Sequence, residues 1–245
     1  MSKIQNLFNC YPQGVALTSS LLAKEGYTTQ LMQKYLKSGW VKRLGDGAYQ
    51  KSSDVISWQG ALWPLQQEKV LRISGKTALE LQGYEHFLSL GRNKVYISYA
   101  PPVNIPKWIK ACDFSADLIF IRSFDIEPLY INDLYVNTFT LKASCLELAA
   151  LEICEGIIKY YTYESALYFF ESLSSLRADI VQELLKQTFS IKAKRLFLHF
   201  SEKIGHNWFS QINLAEVNIG SGKRQIVKNG ILDPKYLITV PEISE

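Results

Sequence analysis

Apolar residues recur at helical spacing up to about Gly91, and beyond it they more often alternate or run together as strands do. Ile4, Leu7 and Phe8 stand at i, i+3 and i+4 and predict a helix over Lys3–Cys10, ended by Pro12 and Gly14. Val15-Ala16-Leu17 is short and β-prone. Thr18 can cap a second helix, Ser19 to Glu25, which Gly26 stops. Only Gly26 and Tyr27 separate it from the next segment, Thr28 to Ser38. Laid out at about 100° per residue, that segment puts Leu31, Met32, Tyr35 and Leu36 on one side. Thr29, Gln30, Gln33, Lys34 and Lys37 occupy the other, side chains suited to base edges and phosphates with no acid among them. Thr28 can cap this helix and Gly39 can take the left-handed conformation at its end. Trp40–Arg43 and Ala48–Lys51, joined through Leu44-Gly45-Asp46-Gly47, predict a basic β-hairpin. Helix, helix, tight turn, helix and hairpin make a winged helix-turn-helix, with Lys42 and Arg43 flanking the wing turn.

The pattern then predicts a helix from Val55 to about Gln67, capped by Ser53 or Asp54, with Pro64 implying a kink or an early break. Another helix runs from Gly75 to Leu81 and closes at Gly83. Beyond Gly91, strands are expected at Lys94–Tyr99, Leu118–Ile121 and Leu134–Leu141. Ser144–Glu155 is apolar nearly all round and predicts a buried helix. Tyr163–Leu173, Arg177–Phe189 and Lys192–Ile204 read as three more helices, and Gln225–Lys228 and Tyr236–Val240 return to strand. The fold class is therefore α+β: a winged helix-turn-helix domain with a helical extension over residues 1–91, then a mixed α+β domain over 92–245.

Charge sharpens this division. Residues 1–51 carry seven Lys/Arg against two acids, residues 52–185 eleven against sixteen, and residues 186–245 nine against five. The basic N-terminal module suits a polyanion better than the overall net charge of +4 suggests. Hydrophobic residues at 47% and charged residues at 20% argue against disorder. No apolar run is long enough to span a bilayer and the N-terminus does not read as a signal peptide, so a cytoplasmic protein is expected.

Candidate chemistry is sparse. The four cysteines, Cys10, Cys112, Cys145 and Cys154, form no Cys-x-x-Cys pair and read as free thiols. His86, His199 and His206 sit in no metal-ligand spacing, and no nucleophile elbow or His-Glu-x-x-His helix occurs. Gly220-Ser221-Gly222-Lys223-Arg224 resembles part of a phosphate loop but lacks its first glycine and its Ser/Thr, and reads better as a basic turn between strands. Glu152 and Glu155 could approach one another on a helix, yet no third ligand completes a metal site. Neither a catalytic site, a metal nor a cofactor is expected.

Two passages carry a family resemblance. One is Leu21 to Tyr49, especially Gly26-Tyr27-Thr28 and Leu36 to Tyr49. The other is Gly220 to Lys228, followed by Leu232-Asp233-Pro234-Lys235-Tyr236 and Thr239-Val240-Pro241. Together they resemble the AbiEi antitoxins of bacterial type IV toxin–antitoxin and abortive-infection systems, nearly over the whole chain. The resemblance implies a transcriptional autorepressor whose N-terminal domain binds inverted repeats in its own promoter. It also implies that the C-terminal domain counters a cognate nucleotidyltransferase toxin, without requiring a stable toxin complex. The implied DNA-contacting residues fall on the helix and wing positions already named. No toxin-side residue carries over, and the turn at Lys223 and Arg224 is the candidate surface. Two other readings compete: a one-component regulator sensing a small molecule, favoured by a deep pocket with converging polar groups, and a nucleic-acid-processing enzyme, favoured by clustered carboxylates.

Overall fold

The computed structural model describes residues 2–84, 91–187 and 189–242, so His86 lies outside the described residues. Its chain forms two compact units, Met1–Ile73 with Ser89–Ala143, and Ser74–Leu88 with Ser144–Glu245.

The first unit begins with α1 (Lys3–Cys10), β1 (Leu17–Thr18), α2 (Ser19–Lys24) and α3 (Thr29–Lys37). The wing strands β2 (Val41–Gly45) and β3 (Ala48–Lys51) follow, and β3 lies between β1 and β2. The winged helix-turn-helix read from the pattern is therefore present, in the expected order. Its core is made of Leu7, Val15, Leu17, Leu22, Met32 and Val41, all buried.

The next helix, α4 (Trp58–Glu68), starts later than the pattern suggests and is capped by Ser57, whose hydroxyl accepts from the Gly60 N–H. Asp54 is engaged elsewhere, its carboxylate accepting the Gly14 N–H at 2.8 Å. Pro64 does not break the helix. Lacking an N–H, it frees the carbonyl of Gly60, and the Ala16 N–H fills that gap at 2.9 Å. Gly60 has no alternative here, since a Cβ would stand 1.8 Å from the Gly14 carbonyl oxygen.

After α4 come β4 (Leu71–Ile73) and then α5 (Gly75–Leu81), which belongs to the second unit. The first unit resumes with β5 (Asn93–Tyr99), α6 (Lys107–Ala111), β6 (Ala116–Arg122), β7 (Ile131–Val136) and β8 (Phe139–Ser144). These strands form one sheet in the order β6-β5-β4-β8-β7. The single strand expected over Leu134–Leu141 is two, because Asn137 adopts a positive φ of 53° and turns the chain. The middle strand β4 is not foreshadowed by the pattern. Its three residues are too few for an alternation to show, and all three are buried. It precedes Gly91 while the other four strands follow it, so the sheet takes strands from both sides of that point.

The second unit packs α5 with α7 (Leu146–Gly156), α8 (Tyr163–Ser172), α9 (Ala178–Lys186) and α10 (Ile191–Ile204). A small sheet of β9 (Arg224–Gln225), β10 (Ile231–Asp233) and β11 (Ile238–Val240) closes it, ordered β10-β11-β9. As its all-round apolar pattern requires, α7 is buried at Leu148, Ala149, Ala150, Leu151 and Ile153. The expected strand over Gln225–Lys228 shrinks to Arg224–Gln225, and Tyr236–Val240 to Ile238–Val240.

Candidate nucleic-acid interface

The turn before α3 is tight because Gly26 sits at φ 76° and the Tyr27 N–H returns to the Leu22 carbonyl at 2.9 Å. Tyr27 is buried and its hydroxyl donates to the Lys3 carbonyl, tying the turn to α1. Thr28 caps α3 by accepting from the Leu31 N–H. At the far end Gly39 is left-handed at φ 75°, with Trp40 N–H on the Tyr35 carbonyl and Gly39 N–H on that of Leu36. These two bonds make a Schellman motif, so both ends of α3 are fixed.

Between those ends the faces divide as the wheel predicts. Met32 and Tyr35 are buried, and Leu31 and Leu36 half-buried. Thr29, Gln30, Gln33, Lys34 and Lys37 are all exposed. On the wing, Lys42 faces Gln50 and Arg43 faces Tyr49 across the ladder, and both cations are exposed. The register slips between Arg43 and Gly45, where the turn through Asp46 and Gly47 begins. Arg43 comes within 4.0 Å of the fully exposed Asp46, a contact of little energy in water.

Not every wing cation is available. Lys51 is 3% exposed and its ammonium donates to the carbonyls of Tyr11 at 2.6 Å and Phe8 at 3.0 Å. Burial lowers its pKa, and its role is to hold the end of α1 onto β3.

Lys223 and Arg224 are exposed in the second unit. The turn that bears them is anchored from below by Arg195, which is fully buried on α10. Its guanidinium donates to the carbonyls of Ile219 at 2.8 Å, Gly222 at 2.7 Å and Leu237 at 3.1 Å. Sequence reasoning missed this strut because an arginine in a helix with Lys192, Lys194 and Lys203 looks like one more solvated cation. It also missed a hydrogen-bonded chain from the Tyr163 hydroxyl to His199 Nε2 at 2.7 Å, and from His199 Nδ1 to the Asp233 carboxylate at 2.6 Å. Its members lie far apart in sequence, on α8, α10 and β10. Burial lowers the His199 pKa despite the opposing hydrogen bond and charge of Asp233. The imidazole is thus held neutral, so stability should be whole above its ordinary value and fall as pH drops through about 6.5. Melting temperature should decline between about pH 7.5 and pH 5.5, and less so for His199→Gln, which cannot titrate. Equal declines in the two proteins would refute the assignment.

The carboxylates considered for a metal are each engaged elsewhere. Glu152 accepts the Gly75 N–H at 2.9 Å, standing in for the missing side-chain cap of α5, and Glu155 accepts from the Ser190 hydroxyl. In the first unit a cavity of about 590 Å³ is lined by Gln66, Arg72, Asp125, Asp133 and Lys142 among others. Two of its lining cations are engaged within the protein: Lys142 pairs with Asp133 at 2.6 Å and Arg72 donates to Ser123. Among the described residues no helix is long and apolar enough to cross a membrane.

A helix-turn-helix with a capped, polar-faced third helix and a wing, carried on a mixed α+β body, has the architecture of a transcriptional regulator. Residues 1–90 match the family model for the N-terminal domain of AbiEi antitoxin transcriptional regulators, and residues 92–241 match that for the AbiEi antitoxin transcriptional regulator of type IV toxin–antitoxin systems. The chain belongs to the AbiEi family. Its fold is similar to the crystal structure of the RV2827C protein from Mycobacterium tuberculosis, at a TM-score of 0.65 and 14% identity, covering 96% of this chain and 88% of that one. No curated protein sequence matches.

Proposed function

We propose that this chain represses its own promoter by laying α3 in the major groove with the wing on adjacent phosphates, and that it separately counters a nucleotidyltransferase toxin. What supports the DNA reading is the division of α3. Every polar position named from the sequence is exposed, every apolar one turns inward, and the helix contains no acid. Gln30 and Gln33 can each pair with adenine through two hydrogen bonds, whereas Lys42 and Arg43 meet phosphates. Inverted repeats in the promoter are the expected targets.

Titration of promoter DNA across a salt series tests this. Lys42→Ala and Arg43→Ala should each weaken binding alike on all sequences and lower the salt slope by about one unit. Unchanged binding in both variants would remove the wing from the interface. The toxin arm is read in cells expressing the cognate toxin. There the Lys42→Ala/Arg43→Ala protein should lose repression yet still protect, as expected if the two functions use different surfaces of the chain. Lys223→Ala/Arg224→Ala should show the converse. Loss of protection and repression together in either variant would defeat the separation. The chain acts by binding in this reading; metal-dependent cleavage of nucleic acid by the purified protein would contradict it.

A further inference from the structure

We propose that the DNA-contacting surface continues past the wing onto α6, with Lys107 and Lys110 as additional phosphate contacts. The proposal rests on the reading of α3 and the wing as the DNA interface. It brings into that interface a helix from the 92–241 segment.

The wing is not a free flap. At Gly45 a Cβ would stand 2.6 Å from Trp108 Cβ and 3.4 Å from Trp108 Cα, so only glycine lets β2 lie against α6. Trp108 is 5% exposed in consequence. One helical turn later the Cys112 thiol donates to the Leu44 carbonyl at 3.5 Å. Trp108 and Cys112, four residues apart, thus face the last two residues of β2, on the strand that carries Lys42 and Arg43. Ile109 is buried, while Lys107 and Lys110 are exposed.

Among the described residues neither lysine forms an ion pair, and Lys110 lies 6.0 Å from the Phe120 ring centroid. The acids that follow α6 are already engaged: Arg92 binds Asp117 at 2.9 Å and also pairs with Asp113. Exposed cations fixed beside a basic wing, with the neighbouring carboxylates turned to Arg92, fit a phosphate backbone that carries a charge every ~1.7 Å along its axis. The contact selects no sequence. Its part is to extend the electrostatic footprint and to set the angle at which the wing meets the duplex.

The test is a fluorescence titration of a labelled duplex of arbitrary sequence by the full chain across a salt series. Lys107→Ala/Lys110→Ala should flatten the slope of log affinity against log salt by about two units, one for each lysine removed from a phosphate. Lys107→Arg/Lys110→Arg should keep the original slope, and Lys159→Ala/Lys228→Ala, which removes equal charge from the second unit, should leave it nearly unaltered. A loss in the first variant no greater than in the last would overturn the proposal. Lys42→Ala/Arg43→Ala is titrated alongside. If that pair lowers the slope while Lys107→Ala/Lys110→Ala does not, the extension onto α6 fails and the wing reading stands. If neither pair has an effect, both fail.

Discussion

Arg195→Met should destabilise the protein by about 1–3 kcal/mol, the largest loss of stability expected of any single substitution considered. The guanidinium serves three carbonyls, but only two depend on it. Leu237 also accepts from the Arg224 N–H at 2.8 Å, so it keeps a partner when the arginine is gone. Ile219, half-buried, and Gly222, exposed, lose their donor with water able to replace it in part, at ~0.5–1.5 kcal/mol each. Methionine fills much of the volume and relieves the cost of burying a charge, which keeps the total toward the lower end. Arg195→Lys should recover little, because one ammonium cannot span the distance between carbonyls that a fork of donors reaches. Urea unfolding at neutral pH measures both. A midpoint for Arg195→Met equal to that of the wild type would mean that the turn holds itself.

Gln30→Ala and Gln33→Ala should each cut discrimination between the true promoter and an arbitrary duplex by ~1–3 kcal/mol, roughly a factor of ten per side chain. Three residues apart on α3, the two amides share one face and lie between caps that prevent fraying. Neither is charged, so the salt slope should be untouched, which separates their effect from that of Lys42 and Arg43. Competition between promoter and arbitrary DNA at fixed salt reads the difference. Loss of affinity equal on both DNAs would mean that these amides touch only the backbone.

The winged helix-turn-helix was legible because each of its parts has a local cause. Thr18 and Thr28 cap, Gly26 and Gly39 end, and the spacing of Leu31, Met32, Tyr35 and Leu36 sets one face. What stayed hidden depends on groups distant in sequence. Asp54 looked like a helix cap and instead holds Gly14, forty residues away. Lys51 looked like one more wing cation, yet the carbonyls that bury it belong to α1. Short elements were lost for another reason: β4 and α6 have three and five residues, too few for any period to stand out. The same limit hid the Trp108 packing that makes Gly45 obligatory.

The placement of β4 and α5 bears on how such regulators can be recombined. The first ninety residues supply the middle strand of one unit's sheet and, in α5, a helix whose leading N–H groups are held by Glu152 and the Tyr161 hydroxyl of the other. A hybrid that joins the operator-reading head of one relative to the remainder of another therefore has two seams to match. Leu71, Arg72 and Ile73 must fit foreign neighbours on both sides, and Gly75 must find its carboxylate. If α3 reads the promoter as proposed, a change of promoter specificity should come more easily through point changes on the outer face of α3, which cross neither seam.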